Sequence, residues 1–124
     1  MQIGIIGAGN VGNALAAGWI GAGHDVTFGI RDPETPPSGG PAHARYASVA
    51  MATRGADAVV LAVPWPAVPD ALASAGDLNG KLLIDCTNPL RMGAGADWSW
   101  RLATASRAAS VWQRWRLARR CSRR

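Results

Sequence analysis

Gln2-Ile-Gly-Ile-Ile-Gly7-Ala-Gly9-Asn-Val-Gly12 is the stretch from which the rest of the chain can be read. Its first six residues form a short apolar run closed by glycine, the pattern of a buried strand in a parallel sheet. Gly7, Gly9 and Gly12 fall at GxGxxG spacing, and Asn10 to Ile20 follows with Val11, Ala14, Leu15 and Ala17-Gly18 spaced for a helix. The glycine string alone is weak evidence, since such turns recur by chance. Between a strand and a helix that open a βαβ unit, each glycine has a task. Gly7 makes the tight turn, Gly9 lets the backbone approach a pyrophosphate, and Gly12 lets helix and strand pack closely. The free N–H groups at the helix start, helped by the helix dipole, then bind the pyrophosphate. The alternative is a merely tight strand–helix turn.

Outward from this stretch, strands alternate with helices. Gly21-Ala-Gly-His24 stops the first helix, and Asp25-Val-Thr-Phe-Gly-Ile30 is a second strand. Asp32 to Pro41 holds four prolines and two glycines and is a loop. A modest helix is expected from about Ala42 to Thr53. Ala56-Asp-Ala-Val-Val-Leu-Ala-Val63 is the clearest buried strand, Pro64-Trp-Pro opens a helix through about Ser74, and Lys81-Leu-Leu-Ile-Asp85 is a fourth strand. Such alternation implies parallel strands with right-handed crossovers. The expected fold class is α/β, a Rossmann-type doubly wound parallel sheet truncated after the fourth strand.

The end of the second strand decides between NAD(H) and NADP(H). An NAD site places an acid there to hold the ribose 2′-hydroxyl. This chain has Gly29-Ile30-Arg31-Asp32. A guanidinium bonds a 2′-phosphate in a bidentate way, whereas an acid repels it. Gly29 is expected to leave room and Arg31 to supply charge, which favours NADP(H). Asp32 is either a ribose ligand or a turn residue before Pro33. After the third strand, Val63-Pro64-Trp65 is placed to flank the cofactor, with Trp65 equally readable as a core anchor. After the fourth, Thr87-Asn88-Pro89 is placed to approach the nicotinamide, with an Asn-Pro turn as the alternative reading. No acid–base pair and no metal-ligand cluster stands out. His24 suits a turn, and Cys86 a small core residue.

Ile3-Gly-Ile-Ile-Gly-Ala-Gly-Asn-Val-Gly12, Gly23-His-Asp-Val-Thr27 with Arg31-Asp-Pro33, Val59-Val-Leu-Ala-Val-Pro-Trp65 and Ile84-Asp-Cys-Thr-Asn-Pro89 together resemble one family. It is that of the NADPH-dependent reductases of the 8-hydroxy-5-deazaflavin coenzyme F-420. Pyrroline-5-carboxylate reductases and 3-hydroxyacid dehydrogenases resemble the same region less closely. The resemblance implies hydride transfer between NADP(H) and a deazaflavin, chemistry the two cofactors carry while the protein stacks their rings. By position it implies that Gly7, Gly9, Asn10, Val11 and Gly12 bind pyrophosphate and that Ile30 and Arg31 bind the 2′-phosphate. Val63, Pro64 and Asn88 would lie along the ribose and nicotinamide. No catalytic side chain is implied.

The resemblance covers roughly residues 1–92 and then stops. Residues 1–90 hold four basic and seven acidic side chains, a net −3, whereas residues 91–124 hold nine arginines and only Asp97, a net +8. Four of the six tryptophans also lie in that last stretch. Residues 97–124 have a poor amphipathic pattern, and residues 91–124 have the composition of a GC-rich gene read in the wrong frame, so residues 93–124 are set apart as an atypical basic tail. The authentic sequence is therefore expected to end near residues 90–97. The rest of the family uses its C-terminal part for the second substrate and for homo-oligomers, so a non-catalytic NADP-binding fragment is the alternative function. Arginine and tryptophan without periodicity make a nucleic-acid partner unexpected, despite the phosphate contacts and stacking they offer. Cys86 and Cys121 are far apart, no signal peptide precedes the first strand, and no run nears the roughly 18–20 apolar residues of a membrane span. These features lead us to expect a soluble cytoplasmic protein whose partner is a nucleotide.

Overall fold

The computed structural model describes residues 1–87 and, beyond them, the backbone of residues 91–92 and 98–99. The chain divides into two units, residues 1–87 and 88–124. In the second, Arg91–Met92 and Trp98–Ser99 pair antiparallel.

The first unit is a five-stranded, all-parallel sheet. Its strands are β1 (Gln2–Ile6), β2 (Asp25–Ile30), β3 (Arg45–Ser48), β4 (Ala58–Leu61) and β5 (Leu82–Asp85), in the order β3-β2-β1-β4-β5. Helix α1 (Asn10–Gly21) joins β1 to β2, α2 (Val49–Arg54) joins β3 to β4, and α3 (Val68–Ala75) precedes β5. This is the doubly wound Rossmann-type architecture expected from the alternation of elements. Among the described residues no helix is long and apolar enough to cross a membrane.

Alternation along β2 assigns the two faces. Phe28 is fully buried on the α1 side, in a cluster with Ile3, Ile5, Ala16, Val26 and Val60. Its neighbour Gly29 points the other way, against α2, where an added Cβ would stand 2.9 Å from Val49 Cα and 3.3 Å from Ala52 Cβ. Helices α2 and α3 pack together, and the fully buried Thr53 hydroxyl links them by donating to Ala75 O at 2.8 Å. The 3-10 turn Trp65–Ala67 comes between β4 and α3, because Pro66 and Pro69 cannot donate backbone bonds to an earlier turn.

Two sequence expectations are corrected. The helix expected over Ala42 to Thr53 is a strand followed by a shorter helix, so the sheet has five strands rather than four. Arg45–Ser48 adds to the edge of β2, whose backbone groups otherwise lack partners. There Tyr46 stacks on Phe28 with ring centroids 5.3 Å apart and planes 17° from parallel. Ser48 then caps α2, its Oγ accepting from Met51 N at 3.3 Å. The second correction concerns Gly29. The space its missing side chain leaves is filled by α2 and is not room for a ligand.

Substituting two glycines tests this packing. Gly29→Ala is expected to cost about 1–3 kcal/mol, because helix backbone would have to move. Gly18→Ala, at an exposed position of α1 with nothing within 4 Å of its added methyl, should stabilise by about 0.5–1 kcal/mol. Thermal unfolding of both variants checks the pair. Equal shifts would show that α2 does not rest on β2 at this point.

Candidate functional site

Strand order reverses between β1 and β4, so their C-terminal ends open onto a crevice, the place where doubly wound sheets take ligands. Gly7 follows β1 with φ +103°, a conformation side chains rarely tolerate, and a Cβ there would collide with the carbonyl oxygen of Ala62. The Gly7 amide donates to Gly29 O at 3.1 Å, and Val63 Cγ1 lies 3.0 Å from the missing Cβ. One residue thus ties the ends of β1, β2 and β4 together.

Gly9 is the N-cap of α1 and has open space where its side chain would be. The first helical bond runs from Asn13 N to Gly9 O at 2.9 Å, so the N–H groups of Asn10, Val11 and Gly12 have no acceptor within the helix. No side chain caps this end and no acid stands in its first turn. Asn10 and Val11 are exposed. Gly12 is buried, and a Cβ on it would stand 2.5 Å from Gly7 O and 3.3 Å from Ile5 Cγ2. The arrangement is a bare helix N-terminus held directly above the sheet, suited to an anion.

At the end of β2, the Ile30 side chain packs against the core cluster, and the exposed Arg31 makes no ion pair or hydrogen bond within the described residues. Asp32 is a turn residue: its Oδ1 accepts from Glu34 N and its carbonyl from Thr35 N, each at 3.2 Å. Of the two readings of Asp32 left open by the sequence, the turn is therefore the observed one. Beyond β4, Val63 is half-buried beside Gly7, Pro64 is exposed, and Trp65 is half-buried in the 3-10 turn. Beyond β5, Asp85 Oδ1 accepts from Thr87 N at 2.8 Å and from Thr87 Oγ1 at 2.6 Å. This side-chain turn closes the end of β5. Asn88 itself lies outside the described residues. Cys86 packs against the core cluster.

The sheet therefore gathers Gly7, Gly9, Asn10, Val11, Gly12, Ile30, Arg31, Val63 and Pro64 along one edge. Sequence reasoning missed Asn13, whose Nδ2 donates to Ala8 O at 3.1 Å and braces the glycine turn. It also missed the Asp85–Thr87 turn, for which the Asp-x-Thr spacing is a usable signal.

Comparison with known proteins places these features in context. The family model described as NADP oxidoreductase, coenzyme F420-dependent, matches residues 2–89. An F420-dependent NADP-reductase candidate from Arthrobacter sp. FB24 has a similar structure. Its TM-score is 0.72 at 33% identity, over 82% of this chain and 51% of that one. Plasmodium falciparum pyrroline carboxylate reductase, solved with NADP bound, gives 0.59 at 26% identity, over 75% of this chain and 36% of that one. A protein from Sinorhizobium meliloti shares the fold, with a TM-score of 0.66 at 24% identity over 90% of this chain and 56% of that one. No curated protein matches the chain. The chain spans about half the length of the Arthrobacter relative.

The two outer positions of the glycine motif that carry structure and the one that does not can be separated. Gly12→Ala is expected to lose about 1–3 kcal/mol by lifting α1 from β1, while Gly9→Ala stays within about 0.5 kcal/mol of the parent. Urea unfolding of each variant measures the difference. A Gly12→Ala protein as stable as the parent would rule out the close helix–strand contact.

Proposed function

The chain belongs to the family of coenzyme F420-dependent NADP oxidoreductases, and from that premise we propose that residues 1–92 bind NADP(H) along the C-terminal edge of the sheet. The observation that carries this reading is Arg31, exposed and without a partner among the described residues, at the end of β2, the strand paired with the one that leads into the bare N-terminus of α1. The donor set fits the group: open space at Gly9, three unclaimed backbone N–H groups, no acid in the first turn, and one unpaired guanidinium. In this reading Gly7, Gly9, Asn10, Val11 and Gly12 surround the pyrophosphate. Ile30, through its backbone, and Arg31 hold the 2′-phosphate. Val63, Pro64 and Asn88 line the ribose and nicotinamide.

When bound, the nicotinamide supplies or accepts a hydride, and the family description points to a deazaflavin coenzyme as the other party. The chain's own residues bind, orient and exclude water; no side chain among them is asked to move a proton. The Arthrobacter relative, described as an F420-dependent NADP reductase, supports this choice of acceptor. Because the chain spans about half of that relative, a second reading is also favoured: a nucleotide-binding unit without turnover of its own. No part in binding is assigned to residues 93–124, nor is a nucleic-acid or membrane partner proposed.

The two readings separate in a single assay, NADPH-dependent bleaching of the deazaflavin by this chain, alongside nucleotide titrations. Binding without bleaching supports the second reading, and absence of binding removes both. Arg31→Ala is expected to weaken NADPH about tenfold while leaving NADH nearly unchanged, the value of one solvent-screened, charge-assisted contact. Isothermal titration with each nucleotide measures it. Equal losses for both nucleotides would remove Arg31 from the 2′-phosphate.

A further inference from the structure

Asn13 stands one residue beyond the glycine motif and carries the one buried side-chain oxygen or nitrogen among the described residues without a hydrogen-bond partner. Native structures rarely leave such an atom unexplained. Its Nδ2 donates to Ala8 O at 3.1 Å, which fixes the orientation of the amide and turns Oδ1 away from the glycine turn. Oδ1 faces Gly40 instead, 3.8 Å from where a Gly40 Cβ would stand. The Tyr46 hydroxyl occupies that same position, and it too has no hydrogen-bond partner among the described residues. An acceptor without a donor and a donor without an acceptor thus flank one glycine.

Gly40 belongs to the segment between β2 and β3, which begins at Arg31. The hydrogen bonds within that segment are local: the Asp32 turn, and Ala44 N to Pro41 O at 3.2 Å. Near its end His43 takes φ 68°, a conformation rare outside glycine that persists only where surroundings hold it. At Gly40 the segment meets side chains of both α1 and β3. The Tyr46 ring is itself held by its stack on Phe28.

We infer that Asn13 and Tyr46 form a polar latch across Gly40 that positions the Arg31 segment for nucleotide discrimination. The two groups make no direct bond, so the Tyr46 hydroxyl donates to Asn13 Oδ1 through one water, and Gly40 is the residue small enough to leave that path open. One amide then touches both halves of the site, the pyrophosphate turn through Ala8 and the 2′-phosphate segment through Gly40. Asn13 and Tyr46 are positioning residues. Their role rests on the reading of Arg31 as the 2′-phosphate group.

The test is titration of the whole chain with NADPH and with NADH, read by nicotinamide fluorescence. Tyr46→Phe keeps the ring and its stack and removes only the hydroxyl. It should lower the preference for NADPH about three- to tenfold, with the NADH affinity and melting temperature of the parent. Gly40→Ala, whose methyl displaces the hydroxyl, should lower the preference similarly. Asn13→Ala should lower it at least as much, and the Asn13→Ala/Tyr46→Phe pair no further than Asn13→Ala alone. A preference unchanged in Tyr46→Phe and Gly40→Ala, or losses that multiply in the double variant, overturns the latch. A parent chain that shows no preference for NADPH overturns the reading of Arg31, and the latch with it.

Discussion

Where α1 leaves β1, helix and strand backbone come so close that no side chain fits between them at Gly12. The position of a Cβ on Gly12 is 2.5 Å from Gly7 O, and Ile5 and Phe28 stand just beyond it. That approach sets where the first turn of α1 sits, and therefore where its unclaimed N–H groups point. It also brings Ala16 into the cluster of Ile3, Ile5, Val26, Phe28 and Val60, so the same contact that shapes the site seeds one side of the core. A methyl group at Gly12 would disturb both at once, because a close-packed interior has no slack to absorb it.

The two faces of the sheet divide the remaining work. On one, α2 closes onto β2 at Gly29, and the glycine is used up by packing. On the other, Phe28 and Tyr46 stack beneath the segment that links β2 to β3. With Gly29 committed to α2 and Asp32 Oδ1 committed to its own turn, the cation at the strand end is Arg31. Preference between the two nicotinamide nucleotides in the proposed function therefore depends on which neighbouring side chains the backbone has already engaged. One oxygen of the Asp32 carboxylate is taken by the Glu34 amide, and the Asp32 carbonyl by Thr35 N, so the residue is held in a turn of its own.

The family resemblance read from four short segments is borne out by the match over residues 2–89 and by the Arthrobacter structure. Apart from Gly23–Thr27, which opens β2, the described parts of these segments run to the C-terminal ends of β1, β2, β4 and β5, along a single edge of the sheet. Local sequence is most constrained there, since turn geometry, helix start and ligand contact all act on the same few residues. The strands and helices between these ends need only be apolar on the proper face, a demand many sequences meet.

From the residues alone came the parallel α/β class, the strand–glycine–helix opening, the tight turn at Gly7, the close packing at Gly12, and the unusual Arg31 at the end of β2. All of these are short-range: a turn, a cap or a period is written within a dozen neighbouring residues. The short strand β3, the use of Gly29 for α2, the turn made by Asp32, and the placing of Asn13 and Tyr46 on either side of Gly40 came only from the folded chain. Arg45–Ser48 is too brief to announce itself as a strand, and becomes one because the edge of β2 offers hydrogen bonds and Phe28 offers a ring to stack on. Asn13 and Tyr46 lie thirty-odd residues apart, and neither has a local reason to be polar at that place. Contacts of that kind are decided by how the sheet brings distant segments together, and a single sequence carries no periodic signal for them.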